Sequence, residues 1–445
     1  MKITKIHIKD FHQFKDFTID LTYPKGHSKE GQPLDKVCFI GQSGSGKTSL
    51  LELIPKFLYD YETNLINKIH IDSIADEVKL STSFGYENEY GMDIYIKKND
   101  IYSWVWGNAK IKNIRCDNKD ALNFYDEKWD KVCSKLIYFP ANLNYDIDIE
   151  KDINVNNKDI IDFSKDKVAA VWNLILEDIQ KYQEQEIAIR QKISKTVEQS
   201  SNDLKIIQKA VKELEDWKRS EFNPIIDVAD KCLNPLLENF KIRVKTEIDF
   251  KTKDDIGFIK IEDFNNNEIP HGLWSTGTKQ IVLSALPLYL LKPKNTIILF
   301  DEPERSLYPD LQRLIVDYYS TLAENCQFFY STHSPIIASS FEPWEIVELK
   351  FNTEGKIYRD IYYEGENHVD NYKWNPKYMR WDDILQRVFD LKDDGSVARQ
   401  KKLNELATFN VKFKKLEKDN KEETEEAIEI LKKIAVLSNE LSKWD

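Results

Sequence analysis

The sequence contains few cysteines and no long apolar run. Its five cysteines are scattered and none belongs to a Cys-x-x-Cys pair, which argues against a disulfide framework and a zinc site. The longest apolar stretch, Ile281 to Leu291, is shorter than the ~20 residues of a bilayer span, and the first ten residues alternate instead of forming a signal-peptide core. We therefore expect a cytoplasmic chain with no membrane contact. The cysteines are Cys38, Cys116, Cys133, Cys232 and Cys326.

The sequence also lacks an excess of positive charge. Its 64 Lys and Arg residues and 76 Asp and Glu residues give a net charge of −12, so the whole molecule is not a polycationic nucleic-acid coat. A local basic groove remains compatible with that balance. At 445 residues, with 41% hydrophobic and 12% aromatic residues, the chain is long enough for about three domains and too apolar for a disordered protein.

The strongest motif is a glycine-rich turn between a short apolar run at 37–40 and a helical pattern at 49–54. The turn reads GQSGSGKT, a complete P-loop in the strand-to-helix setting that the motif requires. Its glycines allow backbone N–H groups to face a β-phosphate, Lys47 neutralises phosphate oxygens, and the Thr48 hydroxyl ligates Mg²⁺. ATP and Mg²⁺ are thus the expected ligands. The predicted contact residues are Gly41, Gln42, Ser43, Gly44, Ser45, Gly46, Lys47, Thr48 and Ser49.

A second motif, IILFDEPE, places two adjacent acids directly after four apolar strand residues. The carboxyl end of a parallel strand is where such a fold collects its catalytic groups. We expect Asp301 to hold Mg²⁺ and Glu302 to polarise the attacking water.

Two further candidate site regions have common local patterns, and their position relative to the other motifs is what suggests a function. The turn holding Ser275 and Gly277 opens an apolar helix and is a second anion-binding helix N-terminus, although a plain N-cap has the same pattern. Since one phosphate chain cannot easily use two such sites in one subunit, a dimer is the natural arrangement. His333 follows the strand after Asp301 and can hydrogen-bond a γ-phosphate, or it can be a capped loop histidine.

The order of these motifs resembles the ABC-type ATPases of the SMC, RecF and OLD group. In that resemblance GQSGSGKT is similar to Walker A, WSTGTKQ to the signature, IILFDEP to Walker B, SLYP to the D-loop and STHSP to the switch-histidine segment. It covers roughly residues 1–164 and 223–350. The signature is similar to LSGGQ only at Ser275 and Gly277, and the expected Q-loop segment, 138–142, contains no glutamine.

The predicted fold class is an α/β P-loop NTPase, an ABC-type head, with a β lobe, a short helical hairpin insertion and a helical C-terminal segment. We expect an ATPase lobe with Walker A and the β lobe at 1–164, the hairpin at 165–222, and a lobe with the signature, Walker B and His333 at 223–350. A β hairpin and partner-docking helices follow at 351–445. Apolar residues at alternating spacings of three and four predict the hairpin, and Glu186 interrupts that rhythm.

The C-terminal pattern from Asp382 to Leu391, followed by charged amphipathic helices, resembles the ATPase subunits of bacterial anti-phage systems such as Septu. This resemblance implies a separately encoded effector, with an HNH nuclease as one candidate. A helical packing domain has the same pattern. No convincing nuclease set of the OLD type follows Trp344, because the acids at 382–383 and 393–394 lie in a polar helical context.

We therefore expect a Mg²⁺-dependent ATPase that forms a homodimer or higher homo-oligomer of heads and regulates that effector. The main alternative is a DNA repair or recombination ATPase that clamps DNA itself, with DNA or another nucleic acid as partner. A transporter-energising subunit is a second alternative, disfavoured by the helical hairpin.

Overall fold

The computed structural model describes most of the chain, in two compact units, Met1–Tyr378 and Met379–Asp445. Cys116, Cys133 and the acids at 393–394 lie outside the described residues, as does 107–135 of the predicted β lobe. The described residues are 2–59, 69–74, 78–84, 90–97, 100–106, 136–143, 160–199, 204–247, 258–359, 375–389, 391, 395–419 and 423–442.

Ten strands of the described chain form one mixed sheet in the order β4-β1-β2-β16-β15-β3-β14-β13-β8-β9. Two smaller antiparallel sheets contain β5-β6-β7 and β10-β11-β12. The strands are β1 Lys2–Phe11, β2 Phe14–Asp20, β3 Lys36–Gly41, β4 Ile69–Ile74, β5 Val78–Phe84, β6 Tyr90–Lys97, β7 Asp100–Trp106, β8 Leu136–Phe139, β9 Ile160–Asp162, β10 Ile242–Val244, β11 Ile261–Asp263, β12 Glu268–Ile269, β13 Ile297–Asp301, β14 Gln327–Ser331, β15 Ile346–Phe351 and β16 Ile357–Arg359.

The centre of the large sheet is parallel and fully buried. Strands β8, β13 and β14 are buried along their whole length, and β3 is buried at four consecutive positions. Parallel strands that are covered on both faces need continuous apolar runs, which is what IILF and VCFI supply. The register pairs Asp301 of β13 with Ser331 of β14, and Ser331 with Phe39 of β3. The loops that follow β3, β13 and β14 contain the predicted site residues. They therefore leave the sheet at the same edge.

The β15–β16 hairpin turns at Gly355, which has a φ of 74°. The sequence-based segmentation assigned this hairpin to the C-terminal segment from residue 351. In the structure both strands belong to the large sheet, because β15 pairs with β3 and β16 pairs with β2.

Helices cover the sheet and form the insertion. Short 3₁₀ turns occur at Glu238–Phe240, His271–Leu273, Pro343–Glu345 and Pro376–Tyr378, and a π turn at Ala229–Leu233. The α-helices are α1 Lys47–Tyr59, α2 Ala169–Gln199, α3 Leu204–Ser220, α4 Pro224–Val228, α5 Asn234–Leu237, α6 Thr276–Leu291, α7 Pro309–Thr321, α8 Pro335–Ala338, α9 Trp381–Arg387, α10 Val397–Lys418 and α11 Glu425–Ser442.

Helices α2 and α3 form the predicted hairpin. The rings of Tyr182 and Trp217 stack with centroids 4.9 Å apart. Glu186, the residue that interrupts the apolar rhythm, accepts hydrogen bonds from Arg190 on its own helix and pairs with Lys218 of α3 at 3.0 Å. The interruption is therefore the position at which an ion pair connects the two helices.

The second unit consists of helices α9, α10 and α11. An ion pair between Lys402 and Glu440 and the placement of Lys433 5.8 Å from the ring centroid of Phe409 show that α10 and α11 pack antiparallel. Buried apolar residues in this unit include Ile384, Ala427 and Leu441. In the part of the chain that the structure describes, no helix is both long and apolar enough to cross a membrane.

Candidate functional site

The P-loop connects the end of β3 to the start of α1. Gly44 and Gly46 have φ angles of 81° and 88°, a region that side-chain-bearing residues rarely occupy. At Gly46 the neighbours also require glycine, since a Cβ there would lie 2.9 Å from the ring of Phe14. The loop therefore curves tightly into the N-terminus of α1, and the first backbone N–H groups of a helix favour a bound anion.

Lys47 lies across this loop. Its Nζ donates to the carbonyl oxygens of Gly41 at 3.0 Å and Gln42 at 3.2 Å. Burial lowers the pKa of Lys47 to about 8, and the nearby carboxylates of Glu302 and Asp301 oppose that shift. The ammonium is thus held among opposite charges at the mouth of the loop, where it can neutralise phosphate oxygens.

Thr48 and Asp301 form a pair of oxygen donors beside the loop. The Thr48 hydroxyl lies 2.9 Å from Oδ2 and 3.1 Å from Oδ1 of Asp301, although 253 positions separate them in the sequence. Asp301 is the buried last residue of β13, and burial raises the pKa of its carboxyl. Hydroxyl and carboxylate oxygens are hard donors of the kind that Mg²⁺ prefers, so these residues fit the metal that the sequence predicts.

Glu302 and His333 face each other at the edge of this cluster. Their side chains approach to 3.9 Å between Oε1 and Nε2 and are 36% and 40% exposed. Glu302 has a φ of 47°, and its backbone N–H donates to Ser331 at 2.9 Å. Burial and the neighbouring charge of Lys47 lower the pKa of His333. The structure therefore brings together five predicted site residues from three loops: Lys47, Thr48, Asp301, Glu302 and His333.

Ser275 and Gly277 are placed separately. The exposed Ser275 caps α6, accepting a hydrogen bond from the Thr278 N–H at 3.0 Å. Gly277 is buried, and a Cβ there would lie 2.7 Å from the carbonyl oxygen of Ser306, so the signature-like turn packs closely on the D-loop-like turn. Between the described residues, no hydrogen bond or ion pair joins Ser275 or Gly277 to the P-loop of the same chain.

A comparison with family models decides the assignment. The model of the AAA ATPase domain matches residues 1–338, which is 338 of the 445 residues. The chain belongs to the AAA ATPase domain family. The match includes the P-loop, Asp301, Glu302 and His333. Together with the sheet and the helical hairpin, it confirms the predicted P-loop ATPase fold.

Several solved structures are also similar to this ATPase. One is the Smc head domain from Pyrococcus furiosus with an extended coiled coil, bound to the C-terminal domain of ScpA (13% identity, 80% of this chain and 96% of that chain, TM-score 0.37). Others are the SMC head domain from Thermotoga maritima (12%, 81% and 98%, TM-score 0.35) and an SmcHead bound to the C-winged helix domain of ScpA (14%, 81% and 97%, TM-score 0.37). With identities this low and TM-scores below 0.5, the family model alone carries the assignment. The search of curated proteins found no match.

One acid of the ATPase site was missed by the sequence analysis. Glu304 follows Asp301 and Glu302 in IILFDEPE, and its Oε1 accepts hydrogen bonds from the Thr332 hydroxyl at 2.5 Å and the His333 N–H at 3.2 Å. Burial raises the pKa of Glu304. The sequence did contain a signal for Glu304. It is a third acid just after β13, and the next apolar strand in the sequence leads to His333.

The segment expected to hold a Q-loop glutamine also reaches this edge. Strand β8 pairs Phe139 with Phe300 of β13, so residues 140–142 lie beside the acidic turn. Asn142 accepts a hydrogen bond from the guanidinium of Arg305, the residue after Glu304. An asparagine thus contacts the Walker B turn from the position where the family resemblance predicts a glutamine.

Proposed function

We propose that this ATPase hydrolyses ATP with Mg²⁺ and uses the closing and opening of two heads to regulate a separately encoded effector of anti-phage defence. The observation that carries the catalytic part is the approach of Glu302 and His333 beside the Thr48–Asp301 pair.

Each residue has a role in this proposal. Glu302 orients and polarises the attacking water, because it is partly exposed and lies next to the metal-binding donors. Lys47 neutralises phosphate oxygens, and His333 hydrogen-bonds the γ-phosphate. Thr48 and Asp301 would hold Mg²⁺, which neutralises charge that develops on the transferred phosphoryl group.

Two heads are proposed because Ser275 lies outside this cluster, on an exposed turn. Leu273, two residues before Ser275, is 75% exposed, and Tyr308, in the turn that packs near Gly277, is 67% exposed. Exposed apolar side chains around an anion-binding helix N-terminus fit a surface that meets the P-loop of a second chain. Ser275 and Gly277 would then contact the γ-phosphate that the other chain holds.

The effector and the defence role rest on the resemblance of the C-terminal segment to Septu-like ATPase subunits. Helices α10 and α11 carry exposed valines at Val397 (75%), Val411 (69%) and Val436 (58%), and we place the partner on these two helices. We propose that the nuclease activity lies in the partner chain, with an HNH nuclease as the first candidate, and that nucleotide state controls it.

The experiment combines mass photometry with ATP turnover on the protein purified together with the product of its genomic neighbour. Wild type and Glu302→Gln are compared with and without Mg-ATP. The proposal predicts that Glu302→Gln stops turnover and accumulates a nucleotide-bound assembly of at least two heads that retains the neighbour.

A protein that stays monomeric and alone, and hydrolyses ATP only when DNA is added, would instead support the DNA-clamping repair ATPase. If Glu302→Gln loses turnover but neither the assembly nor the effector activity changes, the proposed ATP hydrolysis stands and the proposed regulatory role is wrong.

A further inference from the structure

Glu304 occupies the interior side of the acidic turn. Of its two carboxylate oxygens, Oε1 accepts hydrogen bonds from Thr332 and His333. The other, Oε2, is buried and has no hydrogen-bond partner among the described residues. The side chain therefore extends away from the water-facing edge of the site and toward the segment that carries the histidine.

In its hydrogen bond with Glu304, the Thr332 hydroxyl is the donor. Its hydroxyl oxygen accepts the N–H of Ser334 at 2.9 Å, so its single proton is available to Glu304. Its own N–H donates to Phe39 at 3.1 Å, and the side chain is fully buried. Thr332 is thus connected to β3, to Ser334 and to Glu304 at once.

The residue after the histidine is equally fixed. The Ser334 hydroxyl oxygen accepts the backbone N–H groups of Ile336 and Ile337, capping α8, and its proton is donated to Gln312 at 2.6 Å. His333 therefore lies between two anchored residues. Its own backbone N–H has one partner in the described structure, Oε1 of Glu304.

The imidazole itself is held by no hydrogen bond among the described residues. It is 40% exposed, and the described ion-pair contact of its ring is with Glu302 at 3.9 Å. The orientation of the imidazole is consequently determined by the backbone of His333. A rotation of that backbone would move Nε2 relative to Glu302.

We propose that Glu304 is a positioning residue that holds His333 opposite Glu302, and that it affects hydrolysis through His333 without touching the nucleotide. This inference rests on the proposed ATP hydrolysis. The three acids of IILFDEPE then have three roles: Asp301 faces the metal-binding threonine, Glu302 faces the reacting water, and Glu304 faces the histidine segment.

The substitutions that separate these roles follow from the geometry. Glu304→Gln retains an oxygen in the place of Oε1 and can still accept both hydrogen bonds, whereas Glu304→Ala leaves the buried Thr332 hydroxyl and the His333 N–H unpaired. Thr332→Ser retains the hydroxyl, and Thr332→Val removes it with little change in size. Each disruptive change thus has a conservative counterpart.

The test is a double-mutant cycle of ATP turnover with wild type, Glu304→Ala, Glu304→Gln, His333→Ala and Glu304→Ala/His333→Ala. We expect Glu304→Ala to lower kcat by about 10- to 100-fold with a KM for ATP within about twofold of wild type, because a small misplacement costs rate more than binding. Glu304→Gln should recover most of that loss. The double variant should be no slower than His333→Ala alone.

Losses that multiply in the double variant would show that Glu304 acts independently of His333 and would overturn the inference. So would a Glu304→Ala variant that raises KM at unchanged kcat. If Glu304→Ala does not fold, ATP turnover of Thr332→Val is compared with that of Thr332→Ser to test the same hydrogen bond. We expect the valine variant to be slow and the serine variant to be faster. Wild-type protein without ATP turnover overturns the proposed function, whereas an active wild type that tolerates Glu304→Ala overturns this inference alone.

Discussion

The Thr48 hydroxyl is hydrogen-bonded to the Asp301 carboxylate, 2.9 Å from Oδ2. This contact joins the first residues of α1 to the end of β13, and it places two oxygen donors next to the lysine of the P-loop. The pair is the structural basis for the proposed Mg²⁺ dependence.

Replacing Thr48 tests that basis. Thr48→Val removes the hydroxyl at nearly constant volume, and Thr48→Ser retains it. We expect the valine variant to need at least ~10-fold more Mg²⁺ for half-maximal ATP hydrolysis, and the serine variant to stay close to wild type. A Mg²⁺ titration of phosphate release measures both. Equal Mg²⁺ requirements of the two variants would contradict the assignment.

Gly46 tests the need for a tight loop. Gly46→Ala introduces a side chain at a φ of 88° and against the ring of Phe14, so we expect a loss of about 1–2 kcal/mol of stability and of most ATP affinity. Gly272→Ala is the matched control, because no atom lies within 4 Å of the position of its Cβ. Thermal unfolding and nucleotide binding are measured on both. An alanine at position 46 that binds ATP normally would contradict the account of the loop.

The hairpin ion pair predicts a local stability effect. Although burial of Glu186 opposes ionisation, its bonds with Lys218 and Arg190 lower its pKa. Its contribution to stability is therefore present near neutral pH and is lost as pH falls through that lowered pKa. Glu186→Gln should cost about 0.5–1 kcal/mol at pH 7, because solvent screens its exposed partners. The exposed Glu198→Gln on the same helix should cost less than about 0.5 kcal/mol. Equal unfolding midpoints for these variants would contradict the pairing.

Glu345 predicts a pH dependence of opposite sign. Burial raises its pKa from 4.5 to about 7, with Lys36 opposing at 3.8 Å. The folded protein therefore holds this proton more tightly than the unfolded chain. The resulting stability is fully present below about pH 4.5 and is lost as pH rises through about 7. Relative to wild type, Glu345→Gln should gain stability between pH 5 and pH 8, by at most about 3 kcal/mol. Denaturant unfolding at both pH values measures this gain, with the exposed Glu324→Gln as control. A stability difference between Glu345→Gln and wild type that is the same at both pH values would contradict it.

Local patterns in the sequence were sufficient for the parts of the site that lie within one strand, turn and helix. GQSGSGKT follows VCFI directly, and Asp301 and Glu302 follow IILF directly, so each element could be read from adjacent residues. Glu186 could also be identified as an interruption, because its neighbours keep a regular spacing.

Contacts between distant segments could not be read in the same way. The carboxylate of Glu304 meets Thr332, 28 positions away, only because β13 and β14 pair in one particular register. Similarly, Gly277 packs against Ser306 through a turn whose backbone path no local pattern specifies. The hairpin at Gly355 was recognisable as a hairpin, but its membership of the large sheet depends on the pairing of β15 with β3.

The most direct test of the central claim is phosphate release by Glu302→Gln, with Glu324→Gln as an exposed control and with ATP binding measured on the same samples. The account predicts that Glu302→Gln lowers kcat by at least ~10²-fold while ATP still binds, and that Glu324→Gln hydrolyses ATP as wild type does. A Glu302→Gln protein that binds and hydrolyses ATP at the wild-type rate would contradict the account.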